Sequence, residues 1–246
     1  MSKKIIMACM AVAALAAFAL PASASASKMT LEENGVPLNT TGQTCTGKAG
    51  ICILATNKDA NGNHLVSKFT DANGNTLVEC TTADLTGRLE KNTHEEIAGT
   101  IETATFEGTA NVTPRTVDCG SATLGDVLVT PSTATNGLPW CVRSTAAMAA
   151  DEVQIRGNEC TAAARPLRFT LHPTSLGVPC TYERAGAVIG SITTTPAAAQ
   201  ITVTKQEFPG VAGNSFLCPG KGFLDLTMSL YTDNAEEKPL SVIAVP

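Results

Sequence analysis

The sequence predicts an all-β fold, built as two tandem disulfide-stapled units that are β-sandwich-like. Short segments of alternating apolar and polar residues lie between turns rich in glycine, proline and asparagine, a pattern that is typical of sandwiches and barrels. Cysteines are numerous, and parts of the two halves of the chain resemble each other. One larger β-barrel or sandwich, in which each half forms part of the wall, is the alternative fold.

Residues 1–26 have the features of a signal peptide. Lys3 and Lys4 precede an uncharged apolar run at 5–20, and Ala24-Ser25-Ala26 supplies the small residues that a signal peptidase requires. The apolar run is shorter than the roughly 20 residues that span a membrane. We therefore expect cleavage after Ala26, no membrane insertion of the mature chain, and a secreted location, either extracellular or at the cell surface.

The mature chain is expected to be acidic. The whole sequence has 17 basic and 22 acidic residues, and loss of the two leader lysines changes its net charge from −5 to −7. Nucleic acids and anionic membrane surfaces are bound by clustered lysine and arginine, and the sequence contains no such cluster. We therefore expect no nucleic acid and no anionic membrane as a partner.

Eight cysteines remain once Cys9 leaves with the leader. An even number of cysteines in an exported chain predicts disulfides, here four. Structural zinc would require closely spaced pairs of ligands, but the sequence has no C-x-x-C pair and only three histidines. The cysteines expected in disulfides are Cys45, Cys52, Cys80, Cys119, Cys141, Cys160, Cys180 and Cys218.

An internal repeat organises the chain. The tripeptides at 68–70 and 168–170, Lys-Phe-Thr and Arg-Phe-Thr, stand at the same distance before Cys80 and Cys180. The next cysteine follows 39 residues after the first of these cysteines and 38 residues after the second. Self-similarity of this kind predicts that the chain arose by duplication.

Glycines add to the repeat and help to place the domain boundary. Gly87 and Gly190 each follow the first cysteine of their interval and have an apolar residue two places to either side. The expected units are residues 27–130 and 131–246. Their boundary is expected in the stretch 131–139, which is rich in serine, threonine, proline and glycine.

The repeat also predicts disulfide partners. Two equivalent halves favour equivalent bonds, which gives Cys80–Cys119 and Cys180–Cys218. By elimination the other four cysteines pair as Cys45–Cys52 and Cys141–Cys160, a connectivity that spacing alone leaves open.

Local patterns predict individual strands. Residues 224–231, 167–171 and 201–204 alternate between apolar and polar side chains, as half-buried strands do. The Ala-rich stretch 144–154 is the one segment for which we expect a short helix.

The pentapeptide Asp-Ala-Asn-Gly-Asn occurs at 59–63 and again at 71–75. Its alternating oxygen-bearing side chains resemble a calcium loop, but neither copy has the carboxylate that a helix–loop–helix calcium site requires at its twelfth position. Asn-Gly is also the preferred centre of a hairpin turn. We interpret both copies as turns of a three-stranded meander and expect no cofactor. If calcium binds, its candidate ligands are Asp59, Asn61, Asp71 and Asn73.

Few residues suggest catalysis. The sequence has no Gly-x-Ser-x-Gly elbow, phosphate-binding glycine loop or His-Glu-x-x-His helix. His94-Glu95-Glu96 is interpreted as an exposed charged turn, because neighbouring residues of a strand point to opposite faces. Trp140, beside Cys141, is expected to pack in the core, and the alternative is a partly exposed binding platform for a sugar ring or a partner.

Three phrases support a resemblance: Leu-Pro-Trp-Cys at 138–141, Cys-Thr-Tyr-Glu-Arg at 180–184 and Ser-Phe-Leu-Cys-Pro at 215–219. Together they resemble uncharacterised secreted β-rich proteins of high-GC Gram-positive bacteria, most closely in the second half of the chain. The resemblance implies export and β structure.

Three functions are consistent with these patterns. The leading hypothesis is an exported non-catalytic module, extracellular or on the cell surface, which binds a surface polymer or protein or has a structural role. The first alternative is a carrier of a small apolar ligand in a barrel or sandwich cavity. The second is a hydrolase of extracellular polymers, in which distant carboxylates would converge in a cleft.

Overall fold

The structure, a computed structural model, describes residues 28–59, 62–108, 119–122, 124–131, 137–149, 151–194 and 198–245. The expected signal peptide at 1–26 lies outside this part of the chain. The all-β prediction is confirmed, since the described residues form strands and no helix. It follows that none of them belongs to a helix long and apolar enough to cross a membrane.

The described residues form nineteen strands. In chain order they are β1 Lys28–Glu33, β2 Val36–Pro37, β3 Thr44–Cys45, β4 Lys48–Ala49, β5 Ile51–Thr56, β6 Ser67–Thr70, β7 Thr76–Cys80, β8 Thr82–Asn92, β9 Glu96–Glu107, β10 Cys119–Ser121, β11 Gly125–Pro131, β12 Trp140–Thr145, β13 Glu152–Gly157, β14 Leu167–Pro173, β15 Cys180–Arg184, β16 Val188–Thr194, β17 Ala199–Pro209, β18 Lys221–Thr232 and β19 Ser241–Val245.

Eight antiparallel strands close into a barrel. Their order around the wall is β5-β8-β9-β12-β13-β16-β17-β18, and the C-terminal part of β18 pairs again with β5, from Ser229↔Thr56 to Thr232↔Ile53. Closure gives every strand of the wall a partner on each side, which removes the unpaired edges that an open sheet would expose.

The hairpin of β17 and β18 extends beyond the barrel. The N-terminal part of β18 pairs with β6 at residues 223–225, and a six-stranded sheet continues from there in the order β6-β7-β10-β11-β14-β15. The last of these strands returns to the end of β17, where Tyr182 and Gly210 form a bridge. The extra strands therefore lie outside the barrel and are joined to it at β18 and β17.

The strands of the two expected units are interleaved. β9 pairs with β12 from Trp140↔Ile101 to Thr145↔Glu96, which joins the expected unit 27–130 to the expected unit 131–246. Two separate tandem sandwich-like units are therefore not confirmed. The barrel corresponds to the alternative, in which both halves contribute to one wall.

The tripeptides matched in the repeat occupy comparable places. Residues 68–70 belong to β6 and residues 168–170 to β14, and each of these strands forms a hairpin with the strand that follows it. The rings of Phe69 and Phe169 meet edge to face, with 5.2 Å between their centroids. The two hairpins therefore share one core.

The expected disulfides are confirmed. The bonds close loops of 39, 38, 7 and 19 residues. Both the pairs predicted from the repeat and the pairs predicted by elimination are present. They are, in the order of those loops, Cys80–Cys119, Cys180–Cys218, Cys45–Cys52 and Cys141–Cys160.

The strand predictions at 224–231, 167–171 and 201–204 are confirmed by β18, β14 and β17, but the short helix predicted at 144–154 is wrong. That stretch contains the end of β12, a turn and the start of β13. Ser144 and Val153 are buried in the barrel wall, where a strand gives the backbone its partners. Residues 146–149 belong to the turn, in which the Met148 N–H donates to the Thr145 carbonyl at 2.9 Å.

A three-stranded sheet of order β19-β1-β2 caps one end of the barrel. Met29 and Leu31 of this cap pack against Leu230 and other buried residues of the wall. The side chain of Asn92 fastens the cap: its oxygen accepts from the Leu31 N–H at 2.8 Å, and its amide donates to the carbonyls of Leu31 and Leu38 at 2.8 and 2.9 Å.

Both tyrosines are expected to ionise abnormally late in the folded protein. Tyr182 is 0% exposed, and burial raises its pKa to about 12; burial also raises the pKa of Tyr231. The folded state prefers neutral Tyr182, so this group contributes stability below pH 10, the ordinary pKa of a tyrosine, that is lost as the pH rises toward about 12. Phenolate absorbance during alkaline titration of the native protein measures this.

In that titration, Tyr182→Phe should remove the last phenolate step and leave the step of Tyr231. Ionisation of both tyrosines near pH 10 before unfolding would contradict the buried position of Tyr182.

Candidate functional site

The barrel encloses an apolar cavity of about 100 Å³. All eight strands of the wall contribute side chains to its lining, and Met29 and Leu31 of the cap close one end. A second apolar cavity, of about 80 Å³, lies between the barrel and the six-stranded sheet and is lined in part by Phe69, Trp140 and Phe169.

The two cavities adjoin at a waist of aliphatic side chains that line both of them. Five strands, β8, β9, β13, β17 and β18, each contribute one residue to this waist. Its members are Leu85, Ile101, Ile155, Val203 and Leu226. Because a barrel strand alternates inward and outward positions, these inward residues are set by the same alternation that closes the wall.

A charged network lies beside β8 and β9. Arg88 is only 8% exposed, and its guanidinium contacts carboxylate oxygens of Glu90 at 2.7 Å and Glu102 at 3.4 Å. Lys48 extends the network to the surface, with its Nζ at 3.1 Å from Glu102 and 3.7 Å from Glu159. Each of these three carboxylates is therefore paired with a cationic side chain.

The pKa of Glu102 shows the effect of that pairing. Partial burial by itself would raise the pKa, but hydrogen bonds from Lys48 and Thr46 outweigh burial and hold the pKa below its usual range. A general acid that works near neutral pH needs the opposite, a raised pKa. The network therefore has the chemistry of a set of ion pairs.

The loop at 211–220 presents an apolar tip. Phe216 is 94% exposed and Leu217 is 45% exposed. The loop is nevertheless fixed at its base, because the Cys180–Cys218 disulfide ties it to β15. The side chain of Asn214 also accepts from the N–H of Thr181 at 3.0 Å and donates to its carbonyl at 2.8 Å.

The second Asp-Ala-Asn-Gly-Asn segment forms a turn, as interpreted, and the described residues of the first, Asp59, Gly62 and Asn63, are hydrogen-bonded to each other as in a turn. In the second, the Asp71 carboxylate accepts from the N–H groups of Asn73 and Asn75, each at 2.8 Å, and the side-chain hydrogen bond from Asn75 contributes most to lowering the pKa of Asp71. In the first, the Asp59 carboxylate accepts from the Asn63 N–H at 2.9 Å. The side chains are thus used to hold the turns.

The calcium candidates are divided between these turns. Asp59 lies before β6, and Asp71 and Asn73 lie after it; Asn61 is outside the described residues. The meander expected around them is wrong, because β6 pairs with β7 and β18, while β5 pairs with β8 and β18. The chain leaves the barrel between β5 and β6 to begin the extra sheet.

The exposure of the side chains decides how two other sequence candidates, Trp140 and His94-Glu95-Glu96, are interpreted. Trp140 is 6% exposed and belongs to the main core, so the expected core position is confirmed and the alternative of an exposed platform is wrong. His94 and Glu95 are exposed in the turn between β8 and β9, as interpreted. Glu96 is ion-paired with Lys91 at 2.9 Å and Arg143 at 3.2 Å.

The sequence did not indicate two features of the structure, the exposed Phe216 and the waist between the two cavities. Phe216 and Leu217 form an apolar pair directly before Cys218 that looks like core in the sequence, and only the structure shows that Phe216 is 94% exposed. The waist residues come from five strands, and no spacing in the chain indicates that they meet. Comparison with known proteins found no matching family model, no similar curated protein and no similar solved structure.

Proposed function

We propose that the protein is an exported, non-catalytic module of the cell exterior that binds a surface polymer or protein through the loop at 211–220. The observation that carries this proposal is the 94% exposure of Phe216 on a loop whose base is fixed by a disulfide. A large aromatic side chain held in water stabilises nothing in the isolated fold, but it is suited to fill a pocket of a partner.

The fixed base of the loop favours binding. A segment that is already ordered loses less conformational entropy when it meets a partner. Burying a phenylalanine side chain that was exposed contributes about 1.5–3 kcal/mol. Phe216 and Leu217 together therefore supply a compact apolar contact whose geometry is set by Cys180–Cys218 and by the hydrogen bonds of Asn214.

The charged groups support a binding role over hydrolysis. Glu90 and Glu102 converge on buried Arg88, and the pKa of Glu102 is lowered. Carboxylates held in this way accept hydrogen bonds and ion pairs, whereas a glycosidase needs one carboxyl group that stays protonated.

Retention on washed cell envelopes of the source organism tests the proposal. We expect purified protein to bind saturably and to sediment with the envelopes. Phe216→Ser should weaken that binding about tenfold or more, since 1.4 kcal/mol corresponds to a factor of ten. The bound fraction after centrifugation, measured over a range of envelope concentrations, gives the ratio.

Val36→Ser is the matched control. Val36 is 66% exposed on β2, in the cap at the other end of the barrel, and its replacement should leave binding unchanged. The proposal is wrong if wild-type protein stays in the supernatant, or if Phe216→Ser sediments as well as wild type.

A further inference from the structure

We propose that the two cavities form one chamber, the barrel chamber, which binds a small uncharged apolar molecule such as a simple aromatic or a short hydrocarbon. The proposal is independent of the loop at 211–220. It rests on the size of the two cavities, on the chemistry of their lining, and on the waist that joins them.

The volume of the two cavities limits the size of the ligand. An apolar cavity of about 150 Å³ in another protein stays dry and binds benzene or xenon. The two cavities here measure about 100 and about 80 Å³ and adjoin at side chains they share. Each has room for a xenon atom, and a benzene-sized molecule fits once the waist side chains, chiefly Ile101 and Leu226, change rotamer.

The lining decides the chemical class. Ile53, Ile97, Ile201 and Leu226 line the larger cavity and are only half-buried, so part of their apolar surface faces free volume. Polar side chains in this lining are few, and the Thr100 hydroxyl already donates to Glu90, so water lacks the two to four polar partners that it needs to occupy such a space. An apolar guest instead restores the dispersion contacts that the empty volume lacks.

Charged groups near the chamber do not change this class. Arg88 and Arg143 border the larger cavity, but each has a carboxylate partner, Glu90 at 2.7 Å and Glu96 at 3.2 Å. A charged ligand would have to lose its hydration and break these pairs. The ligand class is therefore uncharged.

The cap is the expected route of entry. Met29 and Leu31 are the chamber's contacts with β1, and β1 is fastened to the barrel by the side chain of Asn92. Asn92 does not itself line the chamber, and its hydrogen bonds go to backbone groups of Leu31 and Leu38. Asn92→Ala should therefore speed the exchange of ligand while leaving the size of the chamber unchanged.

Thermal unfolding with and without benzene tests the proposal. At a benzene concentration ten times Kd, the thermal midpoint of the wild type should rise by about 3–5 °C. Leu226→Phe fills the waist and should abolish the shift. Leu226→Ala enlarges the waist and should increase the shift. Leu128→Phe, at a position on β11 that is 39% exposed, is the control and should keep the wild-type shift.

A measurement on the wild type makes the test independent of how the variants fold. Xenon should perturb the methyl resonances of Leu85, Ile101 and Ile155 selectively, since these side chains surround both cavities. A melt unchanged by benzene together with xenon effects at other methyl groups would overturn the proposal. So would a benzene shift that survives in Leu226→Phe.

Discussion

Removing the Cys80–Cys119 disulfide should lower the free energy of unfolding by about 4 kcal/mol, because a cross-link that closes a loop of about 40 residues restricts the unfolded chain strongly. The bond closes 39 residues and joins the end of β7 to β10. The loop includes β8 and β9, two strands of the barrel wall. In the unfolded chain, the cross-link therefore also limits the distance between the segments that form the extra sheet and the segments that form the barrel. Urea denaturation of Cys80→Ala/Cys119→Ala measures the loss.

The Cys45–Cys52 bond provides the matched control. It closes only 7 residues, and the same argument gives about 2 kcal/mol for its removal. We therefore expect Cys45→Ala/Cys52→Ala to keep a higher denaturation midpoint than the first variant. Equal losses in the two variants would show that native packing around the cysteines, and not loop length, determines their contribution.

The disulfides could be predicted from sequence because their evidence is local to the chain. An even count in an exported chain predicts bonds, and the near-equal intervals after Cys80 and Cys180 select two of them. Alternation likewise predicts β14, β17 and β18, since the period of two is a property of each strand alone.

Strand partners could not be predicted in the same way. The pairing of β9 with β12 and of β18 with both β5 and β6 depends on which distant segments fit together. The two glycines of the repeat, Gly87 and Gly190, lie where paired strands approach each other closely. A Cβ at Gly87 would collide with the carbonyl of Thr100, and one at Gly190 would lie 3.0 Å from the carbonyl of Thr202. The sequence shows the glycines, but only the paired strands show what approaches them.

The candidate sites could not be predicted from the sequence for the same reason, because they depend on which strands pair. Exposed Phe216 and the inward-facing waist residues belong to residue types that ordinarily form core. Which of them faces a cavity, the core or water follows from barrel closure and from the disulfide at Cys218. Trp140 illustrates the converse, since its core position was expected and its place beside the smaller cavity was not.

Replacing Phe69 should lower the free energy of unfolding about as much as removing the Cys80–Cys119 disulfide. Phe69 is 2% exposed, and its ring centroid lies 5.2 Å from that of Phe169, 4.9 Å from that of Tyr182 and 6.3 Å from that of Phe208. It stands where both outer hairpins meet the β17–β18 hairpin. We expect Phe69→Ala to lower the free energy of unfolding by about 3–5 kcal/mol, as lost burial and a new cavity add together. Urea denaturation measures it.

Phe223→Ala is the control for that change, because Phe223 is half-buried on β18 and lies outside this aromatic cluster. Its replacement should cost about 1 kcal/mol. Phe69→Ala combined with Phe169→Ala should lose less than the sum of the two single losses, by about 0.5–3 kcal/mol, because the rings stabilise each other. Strict additivity would mean that the hairpins contribute to the core separately, against the shared core that their edge-to-face contact indicates.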